Sequence, residues 1–269
     1  VRRLLLAALL SLPAAARAAE VRISTSVADP HALMAGVTPL PADAKPLSAF
    51  PERLIYDVNW GIIGVGQATL EVEDVVDFAG RPAYHIVSRA ISNHFCDGFY
   101  KVRDLNESWM DARTLTSLGY AKKLREGHYF RDEWLLNDEG RWVAKWAGRD
   151  GNYAVQTGTA PIGVQDILSA MYYLRGRPIE VGQDIVLDVN TRQNWPLVIR
   201  VIKKEKVKTG AGKFQAYLVE PALRHEGIFI QKGNRLQIWL SEDAKHIPVM
   251  MKVEVFFGSI TAKLDKMVY

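Results

Sequence analysis

In Leu54-Ile55-Tyr56-Asp57-Val58-Asn59-Trp60 every second residue is a large apolar one, placing Leu54, Tyr56, Val58 and Trp60 on one face. A period of two is the signature of a strand with one face toward a core. The glycines that follow, Gly61, Gly64 and Gly66, predict a tight turn and then a strand start approached closely by another backbone. Outward from there the same period continues. Ala68, Leu70 and Val72 form an inward row, residues 78–82 a turn, and residues 83–91 the return strand. Strands are predicted over 99–111, 117–126, 129–137 and 141–147, the last two joined by a turn at Asn137-Asp138-Glu139-Gly140. Further strands are predicted at 184–189, 195–209, 212–224, 235–240, 247–257 and 259–267.

One segment departs from this period. In Asp166–Arg175, Ile167, Ala170, Met171 and Leu174 fall at i, i+3, i+4 and i+7, which predicts an amphipathic helix starting as early as Gly163 or Val164. Asp166 suits its N-cap, Arg175 its C-terminal dipole, and Gly176 and Pro178 its end. The fold class expected is mainly β: a strongly curved antiparallel sheet or partly open β-barrel with one capping helix. No β–α–β alternation supports a Rossmann or P-loop fold, and a strand rather than a helix follows the glycine triplet. No repeat of constant period marks a propeller or solenoid.

The chain has 269 residues, 48% hydrophobic and 24% charged, an ordinary globular balance. Residues 1–18 read as a signal peptide: Arg2 and Arg3, an apolar core from Leu4 to Leu12, and Ala16-Arg17-Ala18 as the cleavage site. The alternative is an uncleaved amphipathic anchor. Cleavage removes three arginines, so most of the formal net charge of +4 belongs to this segment and does not indicate nucleic-acid binding. Val1 reads as a GTG start, which points to a bacterial gene. With no cysteine at the cleavage site and no later apolar run of membrane length, the expectation is a soluble periplasmic chain without a membrane span. Residues 19–52, punctuated by Pro30, Pro39, Pro41, Pro46 and Pro51, are expected to form an irregular Pro/Ala-rich arm, with a single β domain over 53–269.

Several stretches of this domain resemble the DUF3108 family of bacterial exported proteins of unassigned function. They are Leu54-x-Tyr56-x-Val58-x-Trp60-Gly61 with Gly64 and Gly66, the helix segment Asp166–Arg175, residues 210–214 (GAGKF), and Trp239-Leu240-Ser241-x-Asp243-x-x-x-Ile247-Pro248-Val249 with Gly258-Ser259. The resemblance implies an envelope β domain and brings no catalytic residues. In broad organisation the pattern also resembles the lipoprotein-carrier folds of the periplasm, a likeness of architecture alone.

Candidate chemistry is sparse. A single cysteine, Cys96, excludes an intramolecular disulfide and any Cys-rich metal site, and reads as a small buried hydrophobe rather than a nucleophile paired with His94. The six histidines form no HExxH motif; His225-Glu226 reads as loop decoration rather than a metal pair. There is no Gly-x-Ser-x-Gly. Asp104, Glu107 and Asp111 read as the wet face of a strand, although acid pairs that meet across strands are invisible to sequence. No catalytic residue, metal or cofactor is therefore assigned.

The seven tryptophans are more informative. They fill a wide core or line a groove for a lipid, acyl chain or glycan. The ligand-contacting residues expected are Trp60, Trp142, Trp146, Tyr172 and Tyr173, with Lys204 and Lys206 facing anionic headgroups or simply blunting a strand. Gly61, Gly64, Gly66, Asp166, Leu174, Arg175, Trp239, Asp243 and Pro248 are expected to be structural. The function expected is a non-enzymatic periplasmic binding or envelope-maintenance module for an amphipathic envelope ligand. A glycan or peptidoglycan hydrolase, and a structural protein that binds an envelope protein, remain the alternatives.

Overall fold

A computed structural model describes residues 29–41, 52–223, 235–255 and 257–269. The signal-peptide segment, most of the arm and His225-Glu226 lie outside the described residues. The chain runs α1 (Pro30–Ala35), β1 (Thr38–Pro39), β2 (Arg53–Trp60), β3 (Ile63–Phe78), β4 (Arg81–Ser92), α2 (His94–Asp97), β5 (Arg103–Asp111), β6 (Ser117–Glu126), β7 (Tyr129–Asp138), β8 (Arg141–Ala147) and β9 (Tyr153–Thr159). After α3 (Ile167–Arg175) come β10 (Asp184–Asn190), β11 (Asn194–Thr209), β12 (Gly212–Leu223), β13 (Leu236–Ser241), β14 (Pro248–Glu254) and β15 (Ser259–Val268).

All the strands join one antiparallel sheet in the order β10-β11-β12-β13-β14-β15-β2-β3-β4-β5-β6-β7-β8-β9, with β1 added on β3. Each neighbour is the next strand in sequence except at one seam, where β15 pairs β2 and welds two meanders together. The seam is specified by burial: Leu264 lies opposite Tyr56 and Ala262 opposite Val58, all buried. A one-residue slip would turn that row to the other face. Register shifts interrupt β2–β3, β3–β4, β5–β6, β11–β12, β13–β14 and β15–β2. Such bulges bend strands and increase their twist, which is how so long a sheet curls.

The sheet does not close into a true barrel; β9 and β10 are its two edges. The link into α3 spans the opening. The Ser117 N–H donates to Val164 O at 3.1 Å, Gln165 N–H to Asp188 O at 2.8 Å, and Asn190 N–H back to Gln165 O at 2.8 Å. The Gln165 side chain donates to Leu115 O at 2.9 Å.

Over β3–β8 both faces of the sheet carry buried apolar residues, whereas β2, β9 and β10 expose alternate residues. On the inner face α3 lies between two apolar groups: Leu168 and Tyr172 pack with Tyr56, Ile86 and Met110, while Ala170 and Leu174 pack with Leu187, Ile199 and Val219. Ile167 and Met171 are half-buried. The outer face carries a third cluster, including Met34, Phe78, Trp109 and Trp134.

Three local expectations change. The stretch expected to be irregular contains α1 and β1, held because the Asp29 side chain caps α1 and pairs with Lys145 at 2.6 Å, and His31 packs on Trp134 with ring centroids 4.3 Å apart. Residues 94–98, between the strands predicted at 83–91 and from 99 onward, include a single helical turn capped by Asn93, and the second of those strands starts only at Arg103. Strand β9 was not anticipated: its sequence, YAVQTGT, is too polar to show an inward row.

Gly61 (φ +58°) makes the β2–β3 turn, and Gly66 sits where β4 approaches most closely. A Cβ at Gly66 would collide with Ile91 O and lie 2.9 Å from Ser92 Cα, whereas one at Gly64 would meet only Asn59 Oδ1 at 3.7 Å. Gly66→Ala should therefore cost roughly 1–3 kcal/mol, as overpacking does, and Gly64→Ala much less. Equal melting temperatures for the two variants would contradict this account.

Candidate functional site

The site begins with how α3 is held. Asp166 is wholly buried and accepts four hydrogen bonds: Leu168 N–H at 2.8 Å and Ser169 N–H at 3.0 Å on one oxygen, Ser108 Oγ at 2.7 Å and Ser117 Oγ at 2.6 Å on the other. The Asp166 N–H donates to Ser169 Oγ, completing a capping box. Burial pushes the Asp166 carboxyl above the usual carboxylate range, and its donors pull it back. At the other end Arg175, also buried, pairs with Glu52 at 2.5 Å and donates to Lys245 O at 3.1 Å. The helix is thus pinned to β5 and β6 at its start, and to Glu52 and the β13–β14 turn at its end.

Pinned in this way, α3 leaves a cavity of about 110 Å³ between itself and the sheet. Ile167, Leu168, Ala170, Met171 and Leu174 form its helix wall. The sheet wall is aliphatic, with Val58, Leu70, Leu124, Val189, Leu197, Ile199, Val219 and Ile238 among its residues. Thr69, Ser88, Asp104 and Asn106 are its polar side chains, and Tyr56 is its aromatic one. The helical stripe read from sequence is the part of the helix that lines the cavity.

None of the aromatic residues expected to contact a ligand is in the wall of this cavity. Trp60 donates Nε1–H to Phe257 O at 2.7 Å and borders a separate hollow of about 60 Å³ with Phe95, Cys96, Phe99 and Tyr100. Trp142 is buried in the inner core and donates to Thr159 O at 3.2 Å; Trp146 packs against that core. Tyr172 is fully buried beside the Arg175 guanidinium, and Tyr173 is half-buried beneath Arg177 at 4.4 Å. Lys204 and Lys206 are exposed on β11, and Lys204 pairs with Glu242 at 2.6 Å. Among the residues expected to be structural, Trp239 donates to Glu205 at 2.8 Å and Asp243 accepts from Lys245 N–H at 2.8 Å. The Pro248 carbonyl accepts from Tyr56 OH at 2.8 Å.

Asp104 was expected on a wet face; it is buried, as is Glu126, with which it shares a hydrogen bond. Alternation along β5 separates Asp104, Asn106 and Ser108 from Leu105, Glu107 and Trp109, but it does not say which row is inside, because both faces of the sheet are covered there. Asn106 accepts from Tyr120 OH at 2.8 Å. Burial, then the charge of Asp104, pushes Glu126 up to about 9; burial likewise raises Asp104 and takes Tyr100 up to about 12. The pair holds a proton at neutral pH, as close carboxyl groups do. Cys96 is buried, and burial raises its thiol, so it is a packing residue rather than a nucleophile.

Glu126 binds its proton more tightly in the folded chain, so its contribution is full below the ordinary value of 4.5 and is lost as pH rises toward about 9. The difference in melting temperature between Glu126→Gln and the parent should therefore shift steadily in favour of the variant from pH 5 to 9. A difference independent of pH would show that Glu126 is ionised throughout that range.

The comparisons with known proteins agree with this architecture. No curated protein matches the sequence. In three dimensions the chain is similar to a crystal structure from Brucella abortus, a beta-barrel-like protein of the domain of unknown function DUF1849, with a TM-score of 0.51 and 18% identity over 81% of this chain and 97% of that one. At that identity the likeness concerns the fold. The family described as protein of unknown function, DUF3108, matches residues 55–265, from β2 into β15. The match takes in the seam, α3 and every wall of the cavity, and the chain belongs to the DUF3108 family.

Proposed function

We propose that this domain is a non-enzymatic binding module of the bacterial periplasm that takes the apolar part of an amphipathic envelope molecule into the cavity beneath α3. The observation that carries this reading is the cavity wall: branched aliphatic side chains from the helix and from both meanders, with Thr69, Ser88, Asp104 and Asn106 as its polar groups. A void with such a wall excludes water and gains from an apolar guest. The periplasmic assignment rests on the signal-peptide pattern of residues 1–18. The hydrolase alternative asks for two carboxyl groups set apart across an open cleft. Asp104 and Glu126 are hydrogen-bonded to each other and buried, an arrangement that suits a fixed polar wall better than attack on a glycoside.

Titration of the delipidated protein with straight-chain alcohols tests the proposal. Affinity should rise with each methylene, by about 0.8 kcal/mol where the group is fully buried, until the cavity is full. Ala170→Trp, which places an indole in the cavity, should abolish binding while leaving the protein folded by circular dichroism. Binding that ignores chain length, or survives Ala170→Trp, would overturn the reading.

A further inference from the structure

Beyond the cavity, the inner face of β6–β8 carries a cluster of charges that packing alone does not explain. Lys122 on β6 lies opposite Glu133 on β7, and Glu133 lies opposite Trp146 on β8. The Glu133 carboxylate is buried and is the ion-pair partner of three cations: Lys122 Nζ at 3.5 Å, Arg131 Nη2 at 3.1 Å and Arg192 Nε at 3.2 Å. Lys122 is 5% exposed and the side chains of Arg131 and Arg192 18% and 12%, so this is a low-dielectric setting with three positive charges and one negative. Among the described residues no other carboxylate pairs with any of the three. Burial and mutual repulsion lower both Lys122 and Arg192 from their ordinary values, in keeping with that surplus. Surplus buried charge is costly unless an opposite charge arrives.

Two further features mark the cluster as built for a guest. Arg192, in the β10–β11 turn, has φ +71°, a left-handed conformation that a residue with a long side chain adopts at a cost. Its Nε is buried against the Glu133 carboxylate, at 3.2 Å. The guanidinium groups of Arg192 and Arg131 lie 4.5 and 5.3 Å from the Trp146 ring, which orients both as planar donors. The cluster also neighbours the cavity along the strands, although its own side chains are not part of the cavity wall. Leu124, two residues beyond Lys122 on β6, lines the cavity, as do Val189 and Leu197 on either side of the turn that carries Arg192.

We infer that Lys122, Arg131 and Arg192 form an anion site, and that it receives the carboxylate or phosphate headgroup of the amphiphile whose tail occupies the cavity. This inference rests on the binding reading above and narrows the ligand to anionic amphiphiles. Guanidinium groups fixed on an indole face match the planar geometry of a carboxylate or two oxygens of a phosphate, with Lys122 as a point charge beneath.

The test is calorimetric titration of the delipidated protein with hexanoate, hexyl phosphate, hexanol and inorganic phosphate, repeated with Arg192→Gln and Lys122→Met. At least one of the two anionic amphiphiles should bind ~10-fold or more tighter than hexanol, as charge-assisted hydrogen bonds provide. Arg192→Gln should erase that preference while leaving hexanol affinity within about twofold. Preference for hexyl phosphate over hexanoate identifies a phosphate headgroup, and the reverse a carboxylate. Lys122 is buried, and its variant is read only if circular dichroism shows it folded; Arg192, on a turn, decides the matter alone. Equal binding of hexanol and both anions overturns the anion site and leaves the cavity reading standing. Inorganic phosphate binding that Arg192→Gln abolishes, with no gain from the hexyl chain, supports the anion site and overturns the cavity reading. Unchanged preference in Arg192→Gln removes the assignment to these residues, and no binding by any of the four compounds overturns both.

Discussion

A buried carboxylate holds the two halves of this molecule in register with its helix. Asp166 uses one oxygen to complete the first turn of α3 and the other to accept from serines on β5 and β6. Each bond is ordinary; their convergence on one group that cannot reach water is what makes the arrangement unyielding. Gln165, the residue before it, bonds to β10 from the other meander. The helix therefore cannot rise from the sheet without stranding a charge and several backbone groups together. The cavity beneath it is a consequence, since a nine-residue helix fixed at both ends cannot settle into all the space a curled sheet leaves.

The same economy governs the inner face. Toward β2–β4 and β10–β14 it is mostly apolar, with Thr69 and Ser88 as small polar exceptions at the cavity. Toward β5–β8 it carries Asp104, Asn106, Glu126, Lys122 and Glu133. Polar side chains in that number survive burial only as partners of one another. Acid sits with acid around a shared proton, while cations crowd a single carboxylate. The molecule thus presents an interior graded from oily to charged, within one continuous sheet.

How far this was legible from sequence differs from element to element. Residues 54–60 and the stripe of Ile167, Ala170, Met171 and Leu174 announce themselves, because each has one dominant apolar face and a regular period. Asp166 and Arg175 could be read as helix-end residues from position alone. The cavity's polar wall could not, because β5 is covered on both faces and its alternation has no wet side to orient it. The tryptophans could not be placed for a related reason: size and hydrophobicity say that a side chain will be buried, not which of three clusters will bury it. Trp109 and Trp134 belong to the outer face, and Trp60 to the far end. The cationic cluster joins β6, β7 and a turn about sixty residues onward, a meeting that no local spacing records.

The open seam between β9 and β10 gives the interior a mechanical character that a closed barrel lacks. A closed barrel has a circumference set by strand number and stagger, so enlarging it means tearing a ladder of hydrogen bonds from end to end. Here the circumference is interrupted, and the segment 163–166 acts as a clasp of a few hydrogen bonds across the gap. Loosening that clasp would let the curl widen while every strand kept its neighbours. The bore of such a sheet is set by the bonds that cross its gap, the Asn194–Thr159 hydrogen bond and the Arg192–Glu133 ion pair among them, rather than by a closed ladder.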